Sequence, residues 1–546
     1  MAKNLVRVDK LLLYALGLIT LSISPIYSYD SIILPKFLLL IIFGLILFLI
    51  ILFYKTRQFV SYHLPFLILT SSFIIWSLIS LLFSGQSLTD GFFGVPGRYN
   101  GVLTFLCYMV FMTIALLQSK TELIALLVNL LSVIGLINAI YGLIQYKGAD
   151  PFDWVNENSP VIGFFGNPNF LSAFLGLSGS TALALALNIK NRLLIRVSWM
   201  SYILFIIYII TKSKSDQGFI VLALSTSVVI FLWLRTYSKL KKLKFLYIAI
   251  WIIGIVVALV DILQKSPWPS VLYKASISYR GDFWRTGWNM TVNNPFFGVG
   301  FEGYKNNFRL YRDLVSANRA EISSNVDSAH NILLDISSSG GFPLLIIYLG
   351  LTLLTLVSAF KVVRRSSSFD FSFAGVLGAW VGYSAQSLIS VSNISLSIWG
   401  WVLSGAIIGF EINGRSKQVI VTPNYDTSEI LTINVGLLSG ALLALPFLIT
   451  DAQLRSTIRD GDVNKIMVAV QRWPQSSANM NLVTSLFRQG GFPDQSLVIA
   501  RKAVKLDSKN FESWQQLYLS PNATESERKA ALVKMREMDP LNPTLK

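Results

Sequence analysis

Long apolar stretches recur along most of the chain, separated by short polar connections. A helix rises about 1.5 Å per residue, so roughly 20 apolar residues cross a hydrocarbon layer about 30 Å thick. Thirteen stretches have this character, near 9–26, 32–54, 63–83, 101–117, 121–145, 168–187, 193–211, 218–234, 244–263, 340–360, 371–390, 395–411 and 430–450. The first ends in LITLSISPIYS, which lacks the small-x-small pattern of a cleaved signal peptide, so it reads as a span. Two polar segments stand apart from the series: about 264–339, and everything after 450. The pattern predicts an all-α fold, with a polytopic membrane bundle of thirteen spans over 1–450 and a small soluble helical domain over 451–546.

Composition agrees with the pattern. The chain is 53% hydrophobic and 14% charged, against about 25% charged in soluble domains. The formal net charge of +17 would suit a nucleic-acid partner, but the basic residues fall in short loops such as NIKNRLLIR (188–196) and RTYSKLKKLK (235–244). Such loops orient a membrane protein, and no basic stripe with interleaved aromatics marks a nucleic-acid surface. A cytoplasmic N-terminus makes the loops self-consistent. The inner segments then carry Lys3, Arg7, Lys10, Lys55, Arg57, Lys120, Lys190, Arg192, Arg196, the 235–244 cluster, Lys361, Arg364, Arg365, Arg415 and Lys417. The outer loops carry few cations: Lys36, Arg98, Lys147, Lys212 and Lys214. Segment 264–339 and the tail therefore face outward. The lone Cys107 excludes a disulfide framework, a cysteine metal cage and a haem attachment site.

The tail is polar, helical and periodic. VQRWPQSSAN, AVKLDSKNFE and MREMDPLNPT align at offsets of 33 and 32 residues, pairing Trp473, Leu506 and Met538. The period and the DPLNP turn resemble tetratricopeptide repeats, which would offer a surface for a protein partner. A short helical bundle with no partner is the plainer alternative.

Candidate chemistry gathers on the outer side. SYRGDFWRTGWNMTVNNPFFGVGFEGYKNNFRLYRDL (278–314) mixes Arg, Trp, Asn and Gly, a composition that stacks on sugar rings and grips phosphate oxygens. An ordinary lid loop with surface arginines has the same look. PFFGVGFEGY sets three glycines after a proline, a turn in which backbone can approach a ligand. GVPGRYNG offers Arg98, and GFFGNPNFLSAFL offers Asn167 and Asn169 at a helix start, where capping competes with anion binding. TKSKSDQG adds Lys212 and Lys214. The first outer loop, SPIYSYDSI, has Asp30 as its sole carboxylate, so a site run by cations rather than by a carboxylate-held metal is expected. Of the two histidines, His63 reads as an interfacial residue on the inner side. His330, in DSAHNILLD, stands outside just before an apolar helix. It reads as a general base for a hydroxyl, or as a helix cap.

YGLIQYKGADPF, GFFGNPNFLSAFL, YRGDFWRTGWNMTVNNPFFGVGFEGYKNNF and AHNILLDISSSGGFPLLIIYLGL together resemble the O-antigen ligase family, over roughly residues 60–410. That superfamily includes O-antigen polymerases and protein O-oligosaccharyltransferases. The resemblance implies a multi-pass enzyme of the bacterial inner membrane with a C-type glycosyltransferase architecture. It would move a glycan from undecaprenyl diphosphate to a hydroxyl of a lipid, glycan or protein acceptor, outside the membrane, with no metal or other cofactor and with inversion. By the same resemblance Arg280 binds the diphosphate, by its spacing to Trp284, and His330 acts at the acceptor. Arg98, Lys214, Asn167, Asn169, Trp284, Arg285 and Asn331 are supporting candidates for substrate binding. The chain departs from the family where a Ser-Arg-Gly-like motif reads SKSDQG: Lys214 stands in for the arginine, or Asp216 takes its place. A transporter of lipid-linked sugars is the competing class, and it would show charge at mid-depth in its spans.

Overall fold

The computed structural model describes residues 8–52, 56–154, 159–236, 243–262, 275–319, 325–414 and 428–545. Among them the secondary structure is helical throughout, without strands. The membrane part contains α1 (Val8–Leu21), α2 (Ile33–Leu52), α3 (Thr56–Phe83), the short α4 (Leu88–Phe93), α5 (Val102–Gln118), α6 (Thr121–Tyr146), α7 (Pro168–Leu187), α8 (Leu193–Ser213), α9 (Gln217–Thr236) and α10 (Leu243–Ile262). An insertion follows: α11 (Ala275–Asn293), α12 (Tyr304–Tyr311) and α13 (Leu314–Arg319). The chain returns to the bundle through α14 (Ile332–Arg365), α15 (Phe371–Ser387), α16 (Ile394–Asn413) and α17 (Ser428–Asp460). The tail holds α18 (Val463–Ala469), α19 (Ser477–Gln489), α20 (Pro493–Leu506), α21 (Phe511–Leu519) and α22 (Glu525–Met538).

Each of the thirteen expected spans coincides with a helix. Nine are long and apolar enough to cross a membrane. Helix α5 and the described apolar part of α10 are shorter, and α1 and α15 have 14 and 17 residues. The bundle is closed by small residues: a side chain on Gly436 or Gly440 of α17 would meet the α2 backbone, at 2.7 Å from the Cα atoms of Ile46 and Ile42. This four-residue spacing is how membrane helices approach one another closely.

Several helix ends differ from the sequence reading, and two of them have a visible cause. Helix α1 stops at Leu21, short of the expected 26, and Lys36 explains where its last carbonyls go. Lys36 is fully buried, and its ammonium donates to Thr20 O (3.2 Å) and Ser22 O (2.7 Å). It therefore plugs a helix C-terminus instead of marking an outer loop. The tenth span begins at Ile332 rather than near 340, and it breaks at Gly341 (φ 72°, ψ −173°), two residues before Pro343. The break frees carbonyls that the glycine turn then satisfies. Val299 N donates to Ser338 O (2.7 Å), Gly300 N to Ser339 O (3.2 Å), and Phe342 N to Pro295 O (2.8 Å). From α3, Trp76 Nε1 donates to Gly340 O (2.9 Å) and Ser80 Oγ to Ser339 O (2.8 Å). The backbone approach expected of PFFGVGF toward a ligand is thus made toward α14.

Loop contacts sort into two ends. At one end Asp30 accepts from Gly97 N, Asn100 Nδ2 donates to Ser392 O, and Gln217 Nε2 donates to Ile389 O. At the other, Asn413 Nδ2 donates to Ser119 O, Arg365 pairs with Glu411, and Arg235 donates to Val363 O. These are the same two groups of loops that the charge pattern separated.

Helix α17 crosses position 450 unbroken. Its 33 residues span about 50 Å, so a rigid helix rather than a linker joins tail to bundle. The tail then folds back on the insertion. Asp507 accepts from Asn306 Nδ2 (2.9 Å), and Asp539 pairs with Arg309 (3.2 Å) and Arg312 (2.7 Å). Lys305 pairs with Glu512 (3.0 Å), and the Arg309 guanidinium lies 4.2 Å from the Phe511 ring centroid. Asp507 and Asp539 occupy equivalent turns of the 32-residue spacing. The turn surface that the sequence offered to a partner is, in part, already covered by α12.

Candidate functional site

The insertion has a small core of its own, in which Met290, Val299, Tyr304, Phe308 and Ala329 are buried together. Helix α11 turns Phe283 and Gly287 toward it, and a side chain at 287 would touch Ala329 (3.3 Å) and Tyr304 (3.4 Å). This packing presses the 325–331 strand of chain against α11 just before α14 begins. The cap of α14 is Asn331, whose Oδ1 accepts from Leu333 N (3.0 Å) and Leu334 N (3.4 Å). His330 is therefore not the cap.

His330 is held in the left-handed region (φ 55°), which is uncommon for a residue with a side chain. The brace is Asp335, reaching back from the first turn of α14. It accepts from Ala329 N (2.7 Å) and from Ser328 Oγ (2.9 and 3.1 Å), and Ser328 Oγ in turn accepts from His330 N (3.0 Å). The imidazole lies beside Phe283, 5.4 Å between centroids. Its Nδ1 is 3.2 Å from Ser328 O. A carbonyl can only accept, so Nδ1 carries the proton and Nε2 presents its lone pair. Burial lowers the His330 pKa from its ordinary value; the Ser328 carbonyl and Asp327 push back, while the charges of Arg280 and Arg98 lower it further. Arg98 reaches the same loop through Asp327, and Arg280 lies one turn of α11 before Phe283, the ring beside the imidazole.

The cations around His330 differ in how they are engaged. Arg98 pairs with Asp327 (2.9 Å) and Glu302 (3.8 Å) and donates to Asp327 O (2.5 Å). Burial alone would lower its pKa, but Asp327, Glu302 and Asp335 outweigh this and raise it. Glu302, itself at φ 58°, also accepts from Asn100 N (2.8 Å). Arg98 therefore ties the 94–101 turn to the His330 loop. Arg285 bridges Asp282 (2.5 Å) and Asp313 (2.6 Å). Arg280 stands apart: half-buried on α11, it has no carboxylate or hydrogen-bond partner among the described residues, and burial lowers its pKa. Trp284 and Trp288 follow it at four-residue steps, 37% and 49% exposed, so one face of α11 carries a guanidinium and two indoles.

Below the His330 loop an apolar cavity opens into the bundle. It starts at Ile332 and Leu333, runs past Tyr348, Thr352, Trp380 and Trp401, and has an empty volume of ≈ 780 Å³ counted out to solvent.

Residues 199–349 match the family model described as O-antigen ligase. The chain carries an O-antigen ligase family domain. With it comes a ligase- or polymerase-type role in polysaccharide biosynthesis, in a multi-pass membrane protein. No curated protein matches the chain. The O-antigen ligase match takes in Lys214, Arg280, Trp284, Arg285, His330 and Asn331, and leaves Arg98, Asn167 and Asn169 outside.

The remaining candidates form a second group. Asn167 caps α7, accepting from Asn169 N (2.8 Å). Asn169 Oδ1 accepts from Ser215 Oγ (2.7 Å), and Ser172 Oγ donates to Ser215 Oγ (2.8 Å). This brings GNPN against SKSDQG, a stretch inside the matched range. Lys214 is an exposed left-handed residue closing α8 (φ 59°), and Asp216 is exposed just before α9. Lys212 sits over the rings of Tyr146 (4.8 Å) and Tyr208 (5.3 Å). The second group reaches the first through residues 388–393, which accept from Gln217 on one side and Asn100 on the other. His63 is buried in α3. Sequence reasoning missed Asp327, Glu302 and Asp335. Two of them flank His330 within DSAHNILLD, but their partners come from positions far along the chain, which no local pattern records.

Proposed function

We propose that the chain is a metal-independent glycosyltransferase of ligase type, moving a glycan from undecaprenyl diphosphate to an acceptor hydroxyl outside the cytoplasmic membrane. The observation that carries this reading is Arg280, a half-buried guanidinium with no carboxylate partner among the described residues, one turn of α11 from the Phe283 ring that lies against an imidazole whose Nε2 has no partner among the described residues. A desolvated cation without a counter-ion favours an incoming anion, and a diphosphate supplies one. The apolar cavity under the His330 loop suits the isoprenoid tail of the same donor.

In the proposed step the acceptor O–H attacks the anomeric carbon from the face opposite the diphosphate. His330 Nε2 takes the hydroxyl proton as the new C–O bond forms. The bond from the anomeric carbon to the diphosphate breaks, and polyprenyl diphosphate leaves with the electron pair, its charge met by Arg280. Attack opposite the leaving group inverts the anomeric centre. Arg98, Ser328 and Asp335 are positioning residues that hold the His330 loop. The charged residues of the described spans lie in their end turns, leaving aside the outward extension of α17, which favours a transferase at one face over a transporter with mid-depth charge.

Deleting the gene and extracting lipid-linked sugars tests the reading. Accumulated full-length polymer on the carrier supports a ligase. Accumulated single repeat units make it a polymerase, and an unchanged lipid-linked pool with unchanged surface glycan refutes both.

A further inference from the structure

Helix α12 shows three faces, because successive residues turn by about 100°. Tyr304 and Phe308 enter the core behind His330. Lys305, Arg309 and Arg312 meet the tail. The third face, with Asn306, Asn307, Leu310 and Tyr311, borders a cavity closed by Asn294 on one side and by Lys509, Glu537 and Met538 of the tail on the other. Its cavity volume of ≈ 310 Å³ lies at the lower end of the range of about 300–1,000 Å³ usual for small-molecule sites.

We infer that this seam cavity between α12 and the tail binds an uncharged stretch of saccharide. The carboxamides decide the chemistry. Asn294 Nδ2 donates to Met290 O and to Tyr311 Oη (both 3.0 Å), Asn306 Nδ2 to Asp507 (2.9 Å) and Asn307 Nδ2 to Gly303 O (2.8 Å). Their oxygens accept no hydrogen bond among the described residues, so three fixed acceptors face a ligand rich in O–H donors. Leu310 and Met538 offer the apolar patch that the C–H face of a pyranose needs. Lys509 is turned to the Ser84 carbonyl (3.5 Å) and acts on Asp507, and Glu537 pairs with Lys534 (2.6 Å), so the charges bordering the cavity are each met by a neighbour, which leaves no need for an ionic ligand. The inference rests on the reading that the chain handles glycans, and it goes further by placing a second sugar site behind Tyr304 and Phe308, away from the transfer cleft. A site there holds the glycan some sugars from its reacting end.

Saturation-transfer NMR on the full chain in detergent, with maltotriose, a β-linked galactotriose and chitotriose as probes, tests the inference. At least one probe is expected to show transfer, weakened at least tenfold by Leu310→Trp, which fills the cavity from a position 41% exposed, and by Asn307→Leu, both judged at unchanged melting temperature. The same signal is expected to survive His330→Ala. No transfer from any probe, or equal transfer in both seam variants, overturns the site. Loss in His330→Ala with retention in the seam variants also overturns it, and leaves the proposed function standing. Seam binding in a chain that has no transferase activity would instead remove the proposed function and keep the site.

Discussion

Substituting Asp539 by Ala probes the joint between tail and insertion. The Asp539 side chain is fully buried and Arg312 is 1% exposed, so the substitution takes a carboxylate from two buried guanidiniums at 2.7 and 3.2 Å. Breaking a buried pair from one side costs about 3–5 kcal/mol. Arg309 keeps its stack on Phe511, which argues for the lower end. A loss of about 3 kcal/mol raises the open population of the joint by roughly 100-fold. Hydrogen exchange reads this directly: amides of α12 and α22 are expected to lose about two decades of protection, while those of α5 and α16 in the bundle keep theirs. The triple replacement Asp539→Leu, Arg309→Met, Arg312→Met removes every charge of the cluster and is expected to restore most of the protection. Unchanged exchange in Asp539→Ala, or a triple variant as loose as the single one, refutes the reasoning.

Three further outcomes follow from the site. His330 has its pKa lowered by burial, with Arg280 and Arg98 adding to the effect, so the neutral base predominates at pH 7 and is lost as pH falls through the lowered value. The acid limb of log kcat is expected below pH ~6.5, and Asp327→Asn, which removes a charge that raises the pKa, should move it further down; an acid limb above 6.5 contradicts this. Arg280→Ala is expected to lower kcat/KM for a purified lipid-linked donor by roughly 10- to 100-fold, the worth of a charge-assisted hydrogen bond, with partial recovery in Arg280→Lys. Equal turnover in both variants removes the arginine from the mechanism. Gly341→Ala puts a side chain at φ 72° against the Pro295 and Phe296 carbonyls. The backbone term alone is about 1–2 kcal/mol before the overlap is relieved, and a melting temperature equal to that of the native chain would show that the kink is not held as described.

Much of the architecture was legible in the order of residues. Apolar runs of bilayer length can only be helices, because hydrocarbon offers backbone amides no other partner. Basic loops sort into two groups, and these rules located the thirteen helices and the polar segments between and after them. His330 could be singled out because an imidazole is rare in so apolar a chain, whereas Arg280 was marked only by the family resemblance, through its spacing to Trp284. What those side chains are free to do was decided by the tertiary structure. Arg98, Arg285 and Arg280 look alike in sequence, yet the first two are neutralised by Glu302, Asp327, Asp282 and Asp313, while Arg280 is left with its charge. Lys36 became a helix plug, the glycine turn became the support of a broken helix, and the turn aspartates of the tail became a clamp on α12. Hydropathy acts on each segment by itself, so the sequence alone determines where helices lie. Charge pairing acts between atoms brought together from distant parts of the chain, so only the folded arrangement determines which cation remains available for a ligand.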